Sequence, residues 1–199
     1  MARVFASIVT IQRSGMRAAA IVQDLLTLAR RAVPTSEVVN LNEIISEYLK
    51  SPERERLMSF HPAVRVETQF DKDLLNILGS PLHLSKTLMN LISNAAEAME
   101  AGHKERVLNI STRHLHEKEC VSISFADSGV GIPRENLSKL FEPFFSTKKK
   151  GKGVGLGLSV AYGIIQEHGG SIQVQSEEGK GTVFAIELPL KVNPQVFQS

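Results

Sequence analysis

Tryptophan is absent from this chain, tyrosine occurs twice, and there is a single cysteine, Cys120. One cysteine excludes an internal disulfide framework and fits a reducing compartment. Long apolar runs are missing too: nothing approaches the roughly 20 residues needed to span a membrane. Met1-Ala-Arg-Val-Phe5 also lacks the shape of a secretory signal. The expected location is therefore cytoplasmic, with any membrane anchor belonging to a parent protein. Charge of one sign is scarce, since 23 Lys and Arg stand against 21 Asp and Glu. A net charge of +2 gives no electrostatic case for nucleic acid or a membrane surface, and no nucleic-acid partner is expected. Two common phosphate loops are absent as well. No GxxxxGK[ST] occurs, and in Gly153-Val-Gly155-Leu-Gly157-Leu158 a leucine stands where a dinucleotide fingerprint has its third glycine.

What is present is 199 residues, 42% hydrophobic and 22% charged, enough for one domain and an appendage. Residues 1–33 read as a long helix and its end. Val4, Ile8, Ile11, Gly15, Ala18 and Val22 recur at four-three spacing, continued by Leu25 and Ala29, which is the seam of a coiled coil or bundle. One helix cannot bury that face alone, so a homodimer through it is expected, the alternative being packing against its own domain. Pro34 breaks the helix. Residues 34–190 form the main domain and 191–199 a tail.

Within the main domain, Asn40 is placed as the N-cap of a helix from Leu41 to about Met58, with Glu43 completing a capping-box-like pair. Val64, Val66 and Thr68 alternate in a half-buried strand at about 64–70, and Leu74 to Leu78 gives a second. Ser80-Pro81 opens a helix to about Met99. Strands follow near 106–116 and 119–126, then a helical turn at 137–140 and an aperiodic loop over 146–153. A helix from about Leu156 to His168 is closed by Gly169-Gly170. Strands at about 171–176 and 181–188, joined at Gly179-Lys180-Gly181, end the domain. Mixed strands with three helices predict an α+β two-layer sandwich, preceded by the long helix.

Several residues carry candidate chemistry. Asp127 ends a strand and is followed by Gly129 and Gly131. A carboxylate accepts hydrogen bonds, so it suits the exocyclic amine of adenine rather than the carbonyl of guanine. The glycines let backbone pass beneath a base; a tight turn capped by Asp127 is the plainer reading. Asn90 and Asn94 share one helix face, and an asparagine inside an apolar helix needs a partner for its amide. A bond to a neighbouring helix would supply one for Asn90. Gly153, Gly155 and Gly157 precede a helix whose N-terminal amides, with those of the loop, form an anion site. Lys148, Lys149, Lys150 and Lys152 put four cations in that loop, either as a solvated run or as partners of a polyphosphate.

In this order, Asn90-Leu-Ile-Ser-Asn94-Ala-Ala-Glu97, Asp127-Ser-Gly129-Val-Gly131, Phe141-Glu-Pro-Phe144 and Gly153-Val-Gly155-Leu-Gly157-Leu158 resemble the nucleotide pocket of the GHKL ATPases. That superfamily includes gyrase, heat-shock-90 chaperones, histidine kinases and mismatch-repair ATPases. The Phe-Glu-Pro-Phe block narrows the resemblance, over about residues 80–189, to the sensor histidine kinases. The resemblance implies a Bergerat-type sandwich that takes ATP and Mg2+. It implies that Asp127 holds the adenine above Gly129 and Gly131, and that Asn94 ligates the ion, which prefers oxygen donors, waters and phosphates. Glu97 and Asn90 become second candidates for ion, water or phosphate. Gly153, Gly155, Gly157 and Leu158 would line the phosphates, and Lys148 would pair with them. Phe141 and Phe144 would anchor the loop. Gly181-Thr182 resembles the last glycine block, with a plain hairpin as the alternative.

Residue 90 separates two reactions. GHKL members that hydrolyse ATP efficiently carry a glutamate there, one turn before the metal asparagine, as general base. Asn90 cannot take a proton at neutral pH, which implies transfer to another acceptor, with Asn90, Asn94 and Lys148 as the catalytic set. Asp24-Leu-Leu-Thr-Leu-Ala-Arg30 resembles the second helix of the dimerisation and phosphotransfer hairpin. The six histidines, at 61, 83, 103, 114, 116 and 168, fall in the catalytic part, and none resembles the acceptor. The expectation is thus the catalytic fragment of a protein histidine kinase of a two-component system. It would serve an acceptor helix missing from the chain and a downstream response regulator, without phosphorylating itself. The alternatives are a nucleotide-responsive binding module, a slow GHKL ATPase and a serine kinase of the same superfamily.

Overall fold

Val121, Ile123 and Phe125 turn to one side of the strand β5 (Cys120–Asp127) and are buried almost completely. Burying such side chains contributes about 1.5–3 kcal/mol each, so β5 sits at the centre of its sheet. In this computed structural model, which describes residues 37–100, 105–148 and 154–190 and the single positions 15, 18, 19, 22, 25 and 26, five strands line up around it. They are β2 (Arg65–Gln69), β4 (Val107–Leu115), β5, β7 (Gly181–Pro189) and β6 (Ser171–Glu177), in that spatial order. Only β2 and β4 run parallel; the remaining pairs are antiparallel. The sheet is mixed, and the α+β sandwich expected from the sequence is present.

Helices cover one face. They are α1 (Leu41–Leu49), α3 (Pro81–Ala98) and α5 (Gly157–Glu167), with α2 (Pro52–Phe60) beside α1 and a single turn, α4 (Arg134–Leu137), further on. Ile45 of α1, Leu91 and Ile92 of α3 and Ile165 of α5 meet Ile123 and Ile186 of the sheet in one cluster. Among the described residues no helix is long and apolar enough to cross a membrane. The six single positions in the N-terminal segment are helical, and Val22, Leu25 and Leu26 are exposed. The other residues of the helix expected over 1–33, and the expected tail at 191–199, lie outside the described residues.

Two expectations need correction. The helix anticipated from Leu41 to Met58 is two helices. Ser51 Oγ accepts the amide of Arg54 at 3.2 Å, and Pro52 stands at the first position of α2. Proline has no N–H for the preceding helix to use, so Ser51-Pro52 stops α1 just as Ser80-Pro81 starts α3. Glu43 takes no part in the α1 cap either. Asn40 Oδ1 accepts the amide of Asn42 at 3.0 Å, and the Asn40 amide donates to Leu74 O and Asn76 Oδ1. A strand not anticipated, β1 (Glu37–Val39), pairs antiparallel with β3 (Ile77–Gly79) and clips the start of the domain beside α3.

His168 locks the far end of α5 against the start of α3. Its Nδ1 lies 2.7 Å from Ile164 O, and its Nε2 accepts the Ser80 amide at 3.0 Å. Both bonds are satisfied only by the neutral ring with its proton on Nδ1. Burial holds the imidazole below its ordinary range. The unfolded chain therefore takes up this proton first as pH falls. Its contribution is complete above the unfolded value of about 6.5 and is lost below it. Urea unfolding of the wild type should weaken more steeply than that of His168→Gln as pH drops from neutrality towards about 5. Parallel pH profiles would show that His168 is no such strut.

Candidate functional site

The C-terminal end of β5 delivers Asp127 to the edge of the helix layer. Its Oδ1 accepts the Gly129 amide at 2.8 Å, the bond a capped turn requires. Burial pushes the carboxyl above the usual aspartate range, and backbone bonds from Gly129 and Thr182 only partly offset this. None of the ion pairs among the described residues involves Asp127. A half-buried carboxylate without a cation keeps acceptor capacity for a neutral donor such as an amine.

The loop after Asp127 is stitched to the β6–β7 hairpin. Gly131 has φ +69°, and a Cβ there would lie 2.1 Å from Glu177 O. Gly179 donates its amide to Val130 O at 2.7 Å, and Ile132 donates its own to Ser176 Oγ at 2.8 Å. Ser176 Oγ in turn lies 2.9 Å from the hydroxyl of Thr182, which faces Asp127 across the β5–β7 register. The Gly179–Thr182 block is therefore more than a free hairpin. Sequence reasoning passed over Ser176, and also Ser128, whose hydroxyl accepts the Val107 amide and donates to Glu105 O. Serines in strands and loops carry no distinguishing pattern; only the topology reveals their partners.

The same loop rests on the end of α3, where Val130 donates to Ala98 O at 3.1 Å. On this same last turn, Asn94, about 6 Å back along the axis, and Glu97, next to Ala98, meet Lys148. The Lys148 ammonium lies 3.0 Å from Asn94 Oδ1 and 2.5 Å from Glu97 Oε2, while Ser93 donates to Glu97 Oε1 at 3.2 Å. Both charged side chains are about one-third exposed. Two hard oxygens thus converge on a cation, a donor pair of the kind a divalent ion takes. Among the described residues no three His, Cys, Asp or Glu cluster around a metal position. Phosphate oxygens and water would have to complete such an ion's shell.

A second joint ties α3 to α5. Asn90 is buried, and its amide donates to Gly157 O at 2.9 Å, the interhelix bond weighed above. The first turn of α5 has no side-chain cap, which leaves amides at an end that favours anions. Gly155, at φ +76°, turns the chain into this helix and accepts the amide of Phe144 at 2.9 Å. Phe144 itself has φ +68° and is exposed, a strained conformation for a non-glycine residue. Phe141 stacks near Tyr162 with ring centroids 5.1 Å apart. The Leu158 side chain packs against the core. Gly153, Lys149, Lys150 and Lys152 lie outside the described residues.

Comparison with known proteins decides the family. Residues 79–192 match the Histidine kinase-, DNA gyrase B-, and HSP90-like ATPase family. The chain belongs to it. Sensor kinase CckA of Brucella abortus is 36% identical over 197 residues, covering 93% of this chain and 20% of that protein. Sporulation kinase C of Bacillus subtilis is 35% identical over 172 residues, covering 86% of the chain and 38% of the relative. The chain thus spans well under half the length of these curated relatives, which are sensor kinases. Among solved structures, the catalytic domain of histidine kinase ThkA superposes with a TM-score of 0.63 at 32% identity, over 78% of this chain and 95% of that one. Full-length ShkA in complex with AMPPNP superposes with a TM-score of 0.76 at 24% identity, over 94% of this chain and 39% of that one, which speaks to fold alone. As an ATPase-family domain, the chain is an ATP-binding unit of the histidine-kinase class.

The glycines now divide in a testable way. Gly131 cannot take a Cβ without moving backbone, whereas a Cβ at Gly157 would meet only Asn90, at an ordinary 3.6 Å. Gly131→Ala should lose roughly 1–3 kcal/mol. Gly157→Ala should stay within about 1 kcal/mol of wild type, or gain, since alanine favours a helix. Urea titrations measure both, and equal losses would show that Gly157 is also demanded by the fold.

Proposed function

We propose that this chain binds Mg–ATP along α3 and serves as the catalytic part of a two-component sensor kinase. The observation that carries the reading is that α3 joins two complementary half-sites. At its C-terminal end lies an uncompensated carboxylate over a glycine loop, and on its last turn Asn94 and Glu97 present a pair of oxygens that draws in a cation. Asp127 would accept the exocyclic amine of adenine. Thr182 and Ser176 would hold that carboxylate and its loop in place. The uncapped amides of α5, with Gly155 and Gly157 leaving room beside them, would receive the phosphates.

A bound magnesium ion would neutralise charge on the polyphosphate, and Asn94 would hold it through its amide oxygen. Lys148 would follow the phosphates as a second cation. Asn90 fastens Gly157 to α3 and so fixes the α5 amides at the reacting end. Its amide cannot act as a base for water, which favours transfer over hydrolysis. In that transfer the bond between the γ-phosphorus and the β–γ bridging oxygen breaks. ADP leaves with the electron pair, and a phosphorus–nitrogen bond forms on an acceptor imidazole. Positioning and charge neutralisation carry such a reaction. The exposed Val22, Leu25 and Leu26 support a homodimer through the N-terminal helix, with a response regulator as the later acceptor.

Calorimetry should detect Mg–ATP binding with clear preference over GTP. Asp127→Asn should weaken it by roughly 10–150-fold, the worth of a hydrogen bond to a charged group. The same variant should be no less stable than wild type near neutral pH. A carboxyl with a raised folded pKa costs stability once ionised, so the wild type falls with rising pH through the aspartate range relative to the Asp127→Asn variant. Incubation with labelled ATP should leave the chain itself unlabelled. Equal affinity for GTP, or acid-labile label on this chain, would overturn the reading.

A further inference from the structure

The cation between Asn94 and Glu97 is the chain's own, brought 54 positions along the sequence from the loop before α5. Asn94 Oδ1 is the oxygen through which the proposed ion would be held, and Glu97 Oε2 makes the shorter contact to the ammonium. Glu97 is in turn held by Ser93 through its other oxygen, so the carboxylate is fixed from both sides. The loop carrying Lys148 begins at Phe144, where backbone strain and the bond to Gly155 O pin its base. The Lys148 backbone amide also donates to Ser146 Oγ at 3.2 Å, which fixes the turn that carries it. A lysine that met only solvent would have no such set of restraints.

Resting on the nucleotide-site reading above, we infer that Glu97 is a positioning residue acting through Lys148. In the empty protein it clamps the ammonium on Asn94, where the divalent ion would otherwise sit, and holds the Phe141–Lys148 segment against α3. Nucleotide with its metal ion competes with the ammonium for Asn94 Oδ1. Lys148 is displaced as they arrive and passes to the phosphate chain, so the loop exchanges one counter-charge for another. The clamp keeps the Glu97 carboxylate neutralised in the ligand-free protein, and it lowers nucleotide affinity by the fraction of time that it is closed. Glu97 therefore opposes binding, which is the reverse of what a simple metal-contact role would give.

Hydrogen exchange of the Phe141–Lys148 segment in the ligand-free protein tests the clamp directly. Glu97→Gln should raise exchange there by about two- to five-fold, as suits a pair one-third exposed, and Glu97→Asp should restore part of the protection. Glu97→Gln in a Lys148→Gln background should add nothing, because the two residues act as one unit. In parallel, calorimetry with Mg–ATP should show Glu97→Gln binding about two- to five-fold more tightly than wild type. Unchanged exchange in Glu97→Gln, additive effects in the double variant, or weaker Mg–ATP binding by Glu97→Gln would each overturn the inference. Absence of Mg–ATP binding in wild type and variants alike would instead sink the nucleotide reading, while the ligand-free exchange would still decide whether Glu97 clamps Lys148.

Discussion

Asp127 is held in a half-dry cleft by backbone amides alone, with no cation among the described ion pairs to compensate it. That arrangement costs the empty protein stability, because burial disfavours the ionised form. Much of the surrounding architecture fixes this group in spite of the cost. β5 and β7 set its height through the Asp127–Thr182 register. The hairpin beyond β6 seals the loop from one side through Gly179 and Ser176, and the end of α3 supports it from the other through Ala98. A folded chain has no reason of its own to bury an unpaired carboxylate so deliberately. A ligand donor that completes its hydrogen bonds supplies one.

The fold was largely legible because its signals are local. Alternation marked β2, Gly179-Lys180-Gly181 marked the turn into β7, the Ser-Pro pair marked the start of α3, and Gly169-Gly170 marked the end of α5. Where the reading slipped, the same kinds of signal were present but outvoted. Ser51-Pro52 has the pattern of Ser80-Pro81 and, like it, starts a helix, inside the stretch expected from the Asn40 cap to be one helix. The strand β1 has only three residues, and nothing in Glu37-Val38-Val39 announces its pairing with Ile77–Gly79. Such a short strand exists because a distant segment offers it a ladder.

The site was legible to a different depth. Asp127, Asn90 and Asn94 could be selected because polar groups at the ends or middles of apolar elements need partners. Which partners they have could not be read, since those lie 54 to 67 positions away in sequence for Asn94 and Asn90. Asn90 is the clearest case. Its chemistry excludes a general base, and its geometry gives it a second task, fastening Gly157 to α3. The two properties agree: a residue whose amide already holds a backbone carbonyl is poorly disposed to activate water. Leu158 adds a packing role that its place inside a glycine block does not announce.

Seen along α3, one helix bears both halves of the problem of handling a polyanion. Its C-terminal end receives a loop that is electron-rich and suited to a neutral amine, while its last turn gathers two hard oxygens, those of Asn94 and Glu97, that meet the lysine. Lys148 answers the second requirement in the empty state. A lysine is suited to this because its ammonium is a compact charge on a flexible stem, able to leave one set of oxygens for another without rebuilding backbone. An arginine at the same place would bind Glu97 through a planar fork and release it less readily. The economy of the site lies in that choice: the cation that keeps α3 neutral at rest is carried by the segment that must move when nucleotide arrives.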